Sequence, residues 1–223
     1  MEKIFSYLEE KKEKEHDESL LNISAIGGCK LKIFLEKKGI FKEEYDTSLK
    51  RIFRMGDAYH TLLYNEISEG DYNSGIRIIG GEIDVKDFNN HLKGRIDLIV
   101  SNGTENFIVD IKSCSDWSFK KYIDEEKVPQ QYIIQLQLYM HIKGFKKGIL
   151  LFINKNNQKI GEVGIEYNKE LVDKLLNEIN IFYNNMEKNI FPEPCDGGEW
   201  GCKACEYFKK NKEDILNKLK IKS

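Results

Sequence analysis

The stretch GRIDLIVSNGTENFIVDIKS, from Gly94 to Ser113, decides the fold that the sequence predicts. It contains two runs rich in β-branched residues, Gly94–Val100 and Phe107–Lys112, with Asn102-Gly103 between them. Such a dipeptide between β-branched runs is typical of a β-hairpin turn. The stretch therefore predicts two strands that pair with each other through a tight turn.

Charged side chains interrupt the apolar pattern of both strands. Because side chains alternate between the two faces of a strand, Asp110 and Lys112 are expected on one side of the second strand. If the strand register brings Asp97 beside Asp110, two carboxylates and one ammonium share a patch. Paired carboxylates repel each other unless a cation lies between them, and hard oxygen ligands suit magnesium or manganese. The patch predicts a divalent metal site, with a surface Asp–Lys pair on an edge strand as the alternative.

Length and composition indicate one domain that covers residues 1–223, since 40% of the 223 residues are hydrophobic. Its ends are a charged N-terminal segment, 1–20, and a cysteine-rich C-terminal segment, 190–223. No apolar run is long enough for a bilayer, and the charged start is unlike a signal peptide, so we expect a cytoplasmic protein without a membrane partner. The net charge of −2 excludes a generally basic nucleic-acid coat, so any DNA contact needs a local basic groove.

Helical and strand patterns alternate along the chain and predict an α/β domain with a mixed central sheet flanked by helices. Besides the two strands above, the patterns predict a strand or hairpin over residues 76–85 and strands over residues 148–153 and 159–165. Helices are predicted over residues 22–38, 46–68, 117–124, 130–142 and 171–186, and a lysine-rich helix near the C-terminus. The helix over residues 46–68 is expected to pack through Leu49, Ile52, Phe53, Ala58, Leu62 and Leu63.

Three of the five cysteines are clustered near the C-terminus. Cys195, Cys202 and Cys205 have six and then two residues between them, in a segment rich in glycine and proline. Three thiolates need a fourth ligand for a tetrahedral set, and Cys29 is the leading candidate, whereas Cys114 is expected to be a small core residue. Zinc or an iron–sulfur cluster would each accept four thiolates, and unrelated buried thiols are the alternative.

Four further polar residues are candidates for a site around the two aspartates. His60 could supply a nitrogen ligand, although a lone helical histidine is more often structural. Gln135 and Tyr139 are four residues apart on one helix face, where they could hydrogen-bond a lysine or a DNA phosphate; an ordinary exposed pair is the alternative. Glu82 could support the metal site by contacting the residues that bind the metal. The alternative is that Glu82 lies at a solvated strand end.

In this order the residues resemble the RecB-like branch of the PD-(D/E)XK nucleases. The resemblance is closest to the CRISPR-associated Cas-four exonucleases and to related iron–sulfur nuclease domains of helicase–nucleases. Its motifs are a helical histidine, GxxD, DxK, QxxxY, and one early and three late cysteines. Here they are His60, Gly94–Asp97, Asp110–Lys112, Gln135–Tyr139, and Cys29 with Cys195, Cys202 and Cys205.

The resemblance implies a restriction-endonuclease-like core in which His60, Asp97, Asp110 and the Ile111 carbonyl hold manganese or magnesium. It also implies that Lys112 is catalytic, that Gln135 and Tyr139 order the site around DNA, and that the four cysteines bind a 4Fe–4S cluster.

The implied activity is that of a metal-dependent exonuclease on single-stranded DNA ends, with 5′-to-3′ polarity favoured. The implied setting is CRISPR adaptation, with CRISPR integrase proteins as partners, or phage or plasmid DNA processing. Two other readings stay open: a non-catalytic DNA-binding adaptor, and an iron–sulfur redox sensor that binds DNA.

Overall fold

The computed structural model describes residues 19–196 and 202–219, apart from the side chains of residues 71–74. Nearly all of the predicted charged segment 1–20 therefore lies outside the described residues. Within these ranges the strands are β1 (Leu21–Asn22), β2 (Arg77–Asp87), β3 (Leu92–Ser101), β4 (Asn106–Cys114), β5 (Lys147–Asn154) and β6 (Ile160–Glu166). The helices are α1 (Lys30–Lys37), α2 (Thr47–Ser74), α3 (Asp116–Ile123), α4 (Gln130–Lys143), α5 (Lys169–Glu187) and α6 (Lys203–Lys218).

The strands form one mixed sheet, which confirms the predicted α/β class. β3 pairs antiparallel with β2 and β4, β4 pairs parallel with β5, and β5 pairs antiparallel with β6. The short β1 adds a parallel pair to β3. None of the helices in the described ranges has the length and apolar character that a membrane crossing needs.

The predicted hairpin is present and lies in the middle of this sheet. Leu98 pairs with Val109 and Ser101 with Asn106, so the connection is four residues long. Gly103 has φ of +86°, a left-handed conformation that glycine adopts without the steric cost of a side chain. The Asn102 N–H donates to the Glu105 carbonyl and closes the turn.

Helices cover both faces of the sheet, and alternation along the strands divides the core into two clusters. In the larger cluster, Ile108 and Phe152 pack with side chains of α1, α4, α5 and α6. In the smaller cluster, Val109 and Ile111 pack against Tyr59 and Leu63 of α2. Asp110 lies between Val109 and Ile111 in sequence, so its side chain points towards the larger cluster.

Most of the α2 residues that the sequence predicts to pack in the core are not buried. Leu63 is buried, but Ile52, Phe53 and Leu62 are exposed, and Tyr59 is buried in their place. The helix packs against β2 and β4, and its N-terminal part continues past them. Helical spacing alone does not reveal how much of a long helix has a sheet beneath it.

The start of α1 also differs from the prediction. The sequence predicts a helix over residues 22–38, whereas Ile23–Ala25 form a 3-10 turn and α1 begins at Lys30. Cys29 is the residue that caps it, because its sulfur accepts the Lys32 N–H at 3.4 Å. The helix ends as expected before Gly39, which has φ of +62°.

Candidate functional site

Asp97 lies at a gap in the hydrogen-bond ladder of the sheet. Leu98 and Ile96 of β3 pair with residues of β2, but Asp97 between them does not. On the other side of β3, the pairing with β4 ends at Leu98. The Asp97 carboxylate instead accepts the backbone N–H of Ile111 at 2.8 Å. This bond fixes the carboxylate against the backbone of β4, one residue after Asp110.

His60 of α2 completes this group from above the sheet. Its Nδ1 is 3.6 Å from Asp97 Oδ1, and its Nε2 is 3.3 Å from the Ile111 carbonyl oxygen. Both side chains are largely covered, with 24% of His60 and 12% of Asp97 exposed. Three of the predicted metal ligands, an imidazole, a carboxylate and a carbonyl, therefore lie together.

The Asp110 carboxylate is held by two other members of the predicted site. Its Oδ1 accepts a hydrogen bond from Gln135 Nε2 at 2.8 Å, and its Oδ2 is 2.7 Å from Lys112 Nζ. Although that ion pair is close, no donor meets Oδ2 with normal hydrogen-bond geometry among the described residues. Burial raises the pKa of Asp110 to about 6; the Lys112 charge opposes this shift and the Asp97 charge adds to it.

A cavity of about 330 Å³ opens beside this group. His60, Asp97 and Ile111 line it together with Thr61, Tyr64, Gly81, Glu82 and Leu98. Asp110 does not line the cavity, since only 1% of it is exposed and its carboxylate contacts Lys112 and Gln135. The structure thus brings the predicted ligands of α2, β3 and β4 close together, with His60, Asp97 and Ile111 at the cavity wall and Asp110 in a buried pair with Lys112.

Glu82 lies at the edge of the same cavity. It is on β2 between Gly81 and Ile83, which pair with the residues on either side of Asp97, and its φ of +47° is unusual for a residue other than glycine. Its carboxylate is 62% exposed and lies 3.5 Å from Arg95 Nη1. The predicted supporting role is therefore compatible with where Glu82 lies.

Gln135 and Tyr139 are both buried, so the alternative of an ordinary exposed pair is wrong. Gln135 contacts Asp110 and Lys112, whereas the Tyr139 hydroxyl accepts the backbone N–H of Arg95 at 3.3 Å. A Cβ on Gly94 would lie 2.7 Å from that hydroxyl. The QxxxY motif thus connects α4 to the DxK strand with its glutamine and to the GxxD strand with its tyrosine.

Three residues near the site were missed by sequence reasoning. The Tyr132 ring lies 5.1 Å from Lys112 Nζ, and Thr61 and Tyr64 line the cavity. Helical spacing could have found two of them, because Tyr132 is three residues before Gln135 and Tyr64 is four residues after His60.

The four predicted cysteines converge at a second site. The sulfurs of Cys29, Cys195, Cys202 and Cys205 all lie within 4.8 Å of one another, so the alternative of unrelated thiols is wrong. Cys29 caps α1, Cys202 precedes α6, and Cys205 lies in the first turn of α6. Burial and the neighbouring thiols raise the pKa of Cys205, because several thiolates cannot share one place without a cation.

Cys114 is separate from this group. It is 9% exposed and belongs to the larger core cluster, as predicted. Among the described residues, the four cysteines are the one group of three or more His, Cys, Asp or Glu side chains whose ligand atoms all lie within 4.8 Å of one another.

A comparison with known families and structures agrees with this geometry. Residues 65–209, well over half of the chain, match the family model described as PD-(D/E)XK nuclease superfamily. A comparison of the sequence with curated proteins found no match. An alkaline exonuclease from Laribacter hongkongensis is similar at 14% identity and a TM-score of 0.57, with 88% of this chain and 95% of that one covered. The crystal structure of SSO0001 is similar at 18% identity and a TM-score of 0.53, with 94% and 91% covered.

Proposed function

Because the chain belongs to the PD-(D/E)XK nuclease superfamily, we propose that it hydrolyses phosphodiester bonds of DNA with magnesium or manganese as cofactor. The observation that carries the proposal is the meeting of His60, Asp97 and the Ile111 carbonyl beside the buried Asp110–Lys112 pair. The alkaline exonuclease above has also been solved with dAMP, and this agrees with a deoxynucleotide product.

The donor atoms at this site fit a hard divalent cation. His60, Asp97 and the Ile111 carbonyl would hold it at the cavity wall. Asp110 is buried behind this wall beside Lys112, and we propose it as a further ligand because its Oδ2 has no hydrogen bond of normal geometry among the described residues. When bound, such an ion polarises the phosphate and lowers the pKa of a coordinated water. The hydrogen bond from the Ile111 N–H to Asp97 holds this carboxylate at the cavity wall.

Lys112 supplies the positive charge for the reaction. The Lys112 side chain is 20% exposed. Burial opposes its positive charge, but the Asp110 carboxylate beside it keeps the pKa of Lys112 above the ordinary value. A charge fixed in a poorly solvated site stabilises the negative charge that develops on a phosphate in the transition state. Gln135 contacts both members of the pair and keeps the ammonium oriented.

A cleavage assay with manganese tests the proposal. Asp110→Asn keeps the shape of the side chain and Lys112→Ala removes the ammonium, and each should lower cleavage of labelled DNA at least 100-fold. Lys120→Ala is the matched control, because Lys120 is an exposed lysine of α3 that pairs only with Asp116 among the described residues. Unchanged cleavage by either site variant would remove this assignment.

We further propose that single-stranded DNA with free ends is the substrate and that cleavage runs 5′ to 3′. The setting would be CRISPR adaptation beside integrase proteins, or phage or plasmid DNA processing. Oligonucleotides blocked at one end or the other report the polarity. A protein that binds these strands without cutting them under any divalent metal would instead be the adaptor considered above.

For the four cysteines we propose a structural 4Fe–4S cluster, as in the nucleases that the sequence resembles. Four convergent thiols fit such a cluster chemically. A single zinc ion is the second candidate, because sulfurs within 4.8 Å are close to the spacing of about 3.8 Å in a tetrahedral site with Zn–S bonds of about 2.3 Å. Anaerobic purification separates the two: a cluster gives brown protein with iron and sulfide, and zinc gives colourless protein with one metal ion.

A further inference from the structure

The N-terminal part of α2 exposes apolar side chains on a helix that has left the sheet. Every residue from Lys50 to Met55 is exposed, including Ile52 at 48%, Phe53 at 50% and Met55 at 51%. By contrast, Tyr59 and Leu63, farther along the same helix, are buried against the sheet. Large apolar side chains exposed on one short helical segment point to a binding surface.

Phe53 points in the same direction from α2 as His60. The two residues are seven positions apart, nearly two helical turns, which places Phe53 on the His60 face about 10 Å along the axis. Gly56 lies between them, and a Cβ there would meet no atom within 4 Å, so the helix surface between Phe53 and His60 is open. The Tyr45 and Phe53 rings are perpendicular, with their centroids 5.3 Å apart, and this contact restricts the orientation of Phe53.

The same segment is locally basic. Between Thr47 and Ala58 the charged residues are Lys50, Arg51 and Arg54, against the single acid Asp57, whereas the whole chain has a net charge of −2. Lys50 precedes Phe53 by three residues and Arg54 follows it directly. A cationic surface interrupted by an aromatic ring is what unpaired nucleic acid bases bind, because the ring stacks on a base and the cations contact phosphates.

We infer that Phe53 and Lys50 form a stacking platform for a single DNA strand whose phosphate lies at the His60 cavity. The separation of about 10 Å corresponds to about three stacked nucleotides, or fewer extended ones. A base in a duplex does not offer its face to the ring, so the platform selects unpaired strands. The inference rests on the proposed nuclease function and gives it a structural reason for single-strand preference.

Binding of a fluorescent single-stranded oligonucleotide, measured by anisotropy without added divalent metal, tests the platform. Phe53→Leu should weaken binding on the order of tenfold, and Phe53→Trp should retain it, because leucine is apolar but cannot stack. Lys50→Gln should lower the magnitude of the slope of log affinity against log salt by about one, the change expected from the loss of one phosphate contact. The matched control is Ile181→Ala on α5, where Ile181 is 52% exposed, and it should bind like the wild type.

A direct contact also has a spectroscopic signature. An oligonucleotide with 2-aminopurine a few positions from its end should lose fluorescence with the wild type and with Phe53→Trp but not with Phe53→Leu. Equal affinity and equal quenching for Phe53→Leu and the wild type would overturn the inference. So would a Phe53→Leu protein that binds DNA normally but sediments as a monomer where the wild type sediments as a dimer.

The platform and the catalytic proposal can fail separately. If the wild type cuts single strands with manganese and Phe53→Leu cuts and binds them equally well, the platform is wrong and the nuclease stands. If the wild type binds strands through Phe53 but cuts none, the catalytic proposal is wrong and the binding surface stands.

Discussion

Gln135 donates a 2.8 Å hydrogen bond from its Nε2 to Oδ1 of the buried Asp110. Its carbonyl oxygen, Oε1, accepts from Lys112 Nζ at 3.4 Å. One neutral amide thus donates to the carboxylate and accepts from the ammonium of the same ion pair. No other uncharged side chain of similar length carries a donor and an acceptor in this arrangement.

Gln135→Ala is expected to lower both stability and activity. It leaves a buried carboxylate oxygen without its donor, which costs about 1–3 kcal/mol in the free energy of unfolding, and it frees the Lys112 side chain to rotate. We expect at least tenfold slower cleavage. Denaturant unfolding and the manganese cleavage assay measure the two effects. Gln131→Ala, at an exposed position of α4, should change neither; normal cleavage by Gln135→Ala would show that the amide has no role.

Gly94→Ala should destabilise the protein by forcing β3 and α4 apart. The new Cβ would lie 2.7 Å from the Tyr139 hydroxyl and 2.8 Å from its ring, and overpacking of this kind costs about 1–3 kcal/mol. Gly164→Ala in β6 is the control, because its Cβ would meet nothing within 4 Å. Thermal unfolding of both variants provides the comparison, and equal melting temperatures would contradict the close packing of Tyr139 on Gly94.

His60→Ala should weaken manganese binding about 10- to 100-fold with little change in stability, because the imidazole is a proposed ligand at a cavity wall. Titration calorimetry gives the affinity. His141→Ala is the control, since His141 contacts Tyr167 and does not line the cavity. Manganese affinity that is equal in the wild type and the His60 variant would exclude the imidazole as a ligand.

Cys205→Ser should lose the metal and much of the stability of the N- and C-terminal parts of the described chain. Cys205 contacts both Cys29 and Cys195 at 3.5 Å, so its replacement removes the central sulfur of the group. Metal analysis and thermal unfolding measure the two losses. Cys114→Ser, a buried cysteine outside the group, should keep the full metal content. A Cys205 variant with full metal content would show that three sulfurs suffice.

The hairpin and the order of the motifs could be predicted because they depend on neighbouring residues. Asn102-Gly103 fixes the turn, and the turn then fixes which residues of β3 and β4 face each other. The convergence of four cysteines could also be predicted, because the short spacing of Cys195, Cys202 and Cys205 is typical of a metal site, and such a site needs a fourth ligand.

Other features depend on packing that no local pattern encodes. Phe53 has the spacing of a core residue, but the sheet ends before it reaches that part of α2. The separation of Asp110 from the His60 cavity depends on the approach of α4, which places Gln135 against the carboxylate. The approach of α4 also places Tyr132 beside Lys112, because Tyr132 and Gln135 belong to the same helix.

The four-sulfur group joins Cys29, near the first helix described, to Cys205, which follows it 176 residues later. During synthesis on the ribosome, Cys29 and the helix that it caps emerge long before Cys195, Cys202 and Cys205 are made. The four sulfurs cannot come together until the start of α6, with Cys202 and Cys205, has left the exit tunnel. Any metal that needs all four sulfurs can therefore bind only after β1 to β6, with Asp97 and Asp110, have been translated.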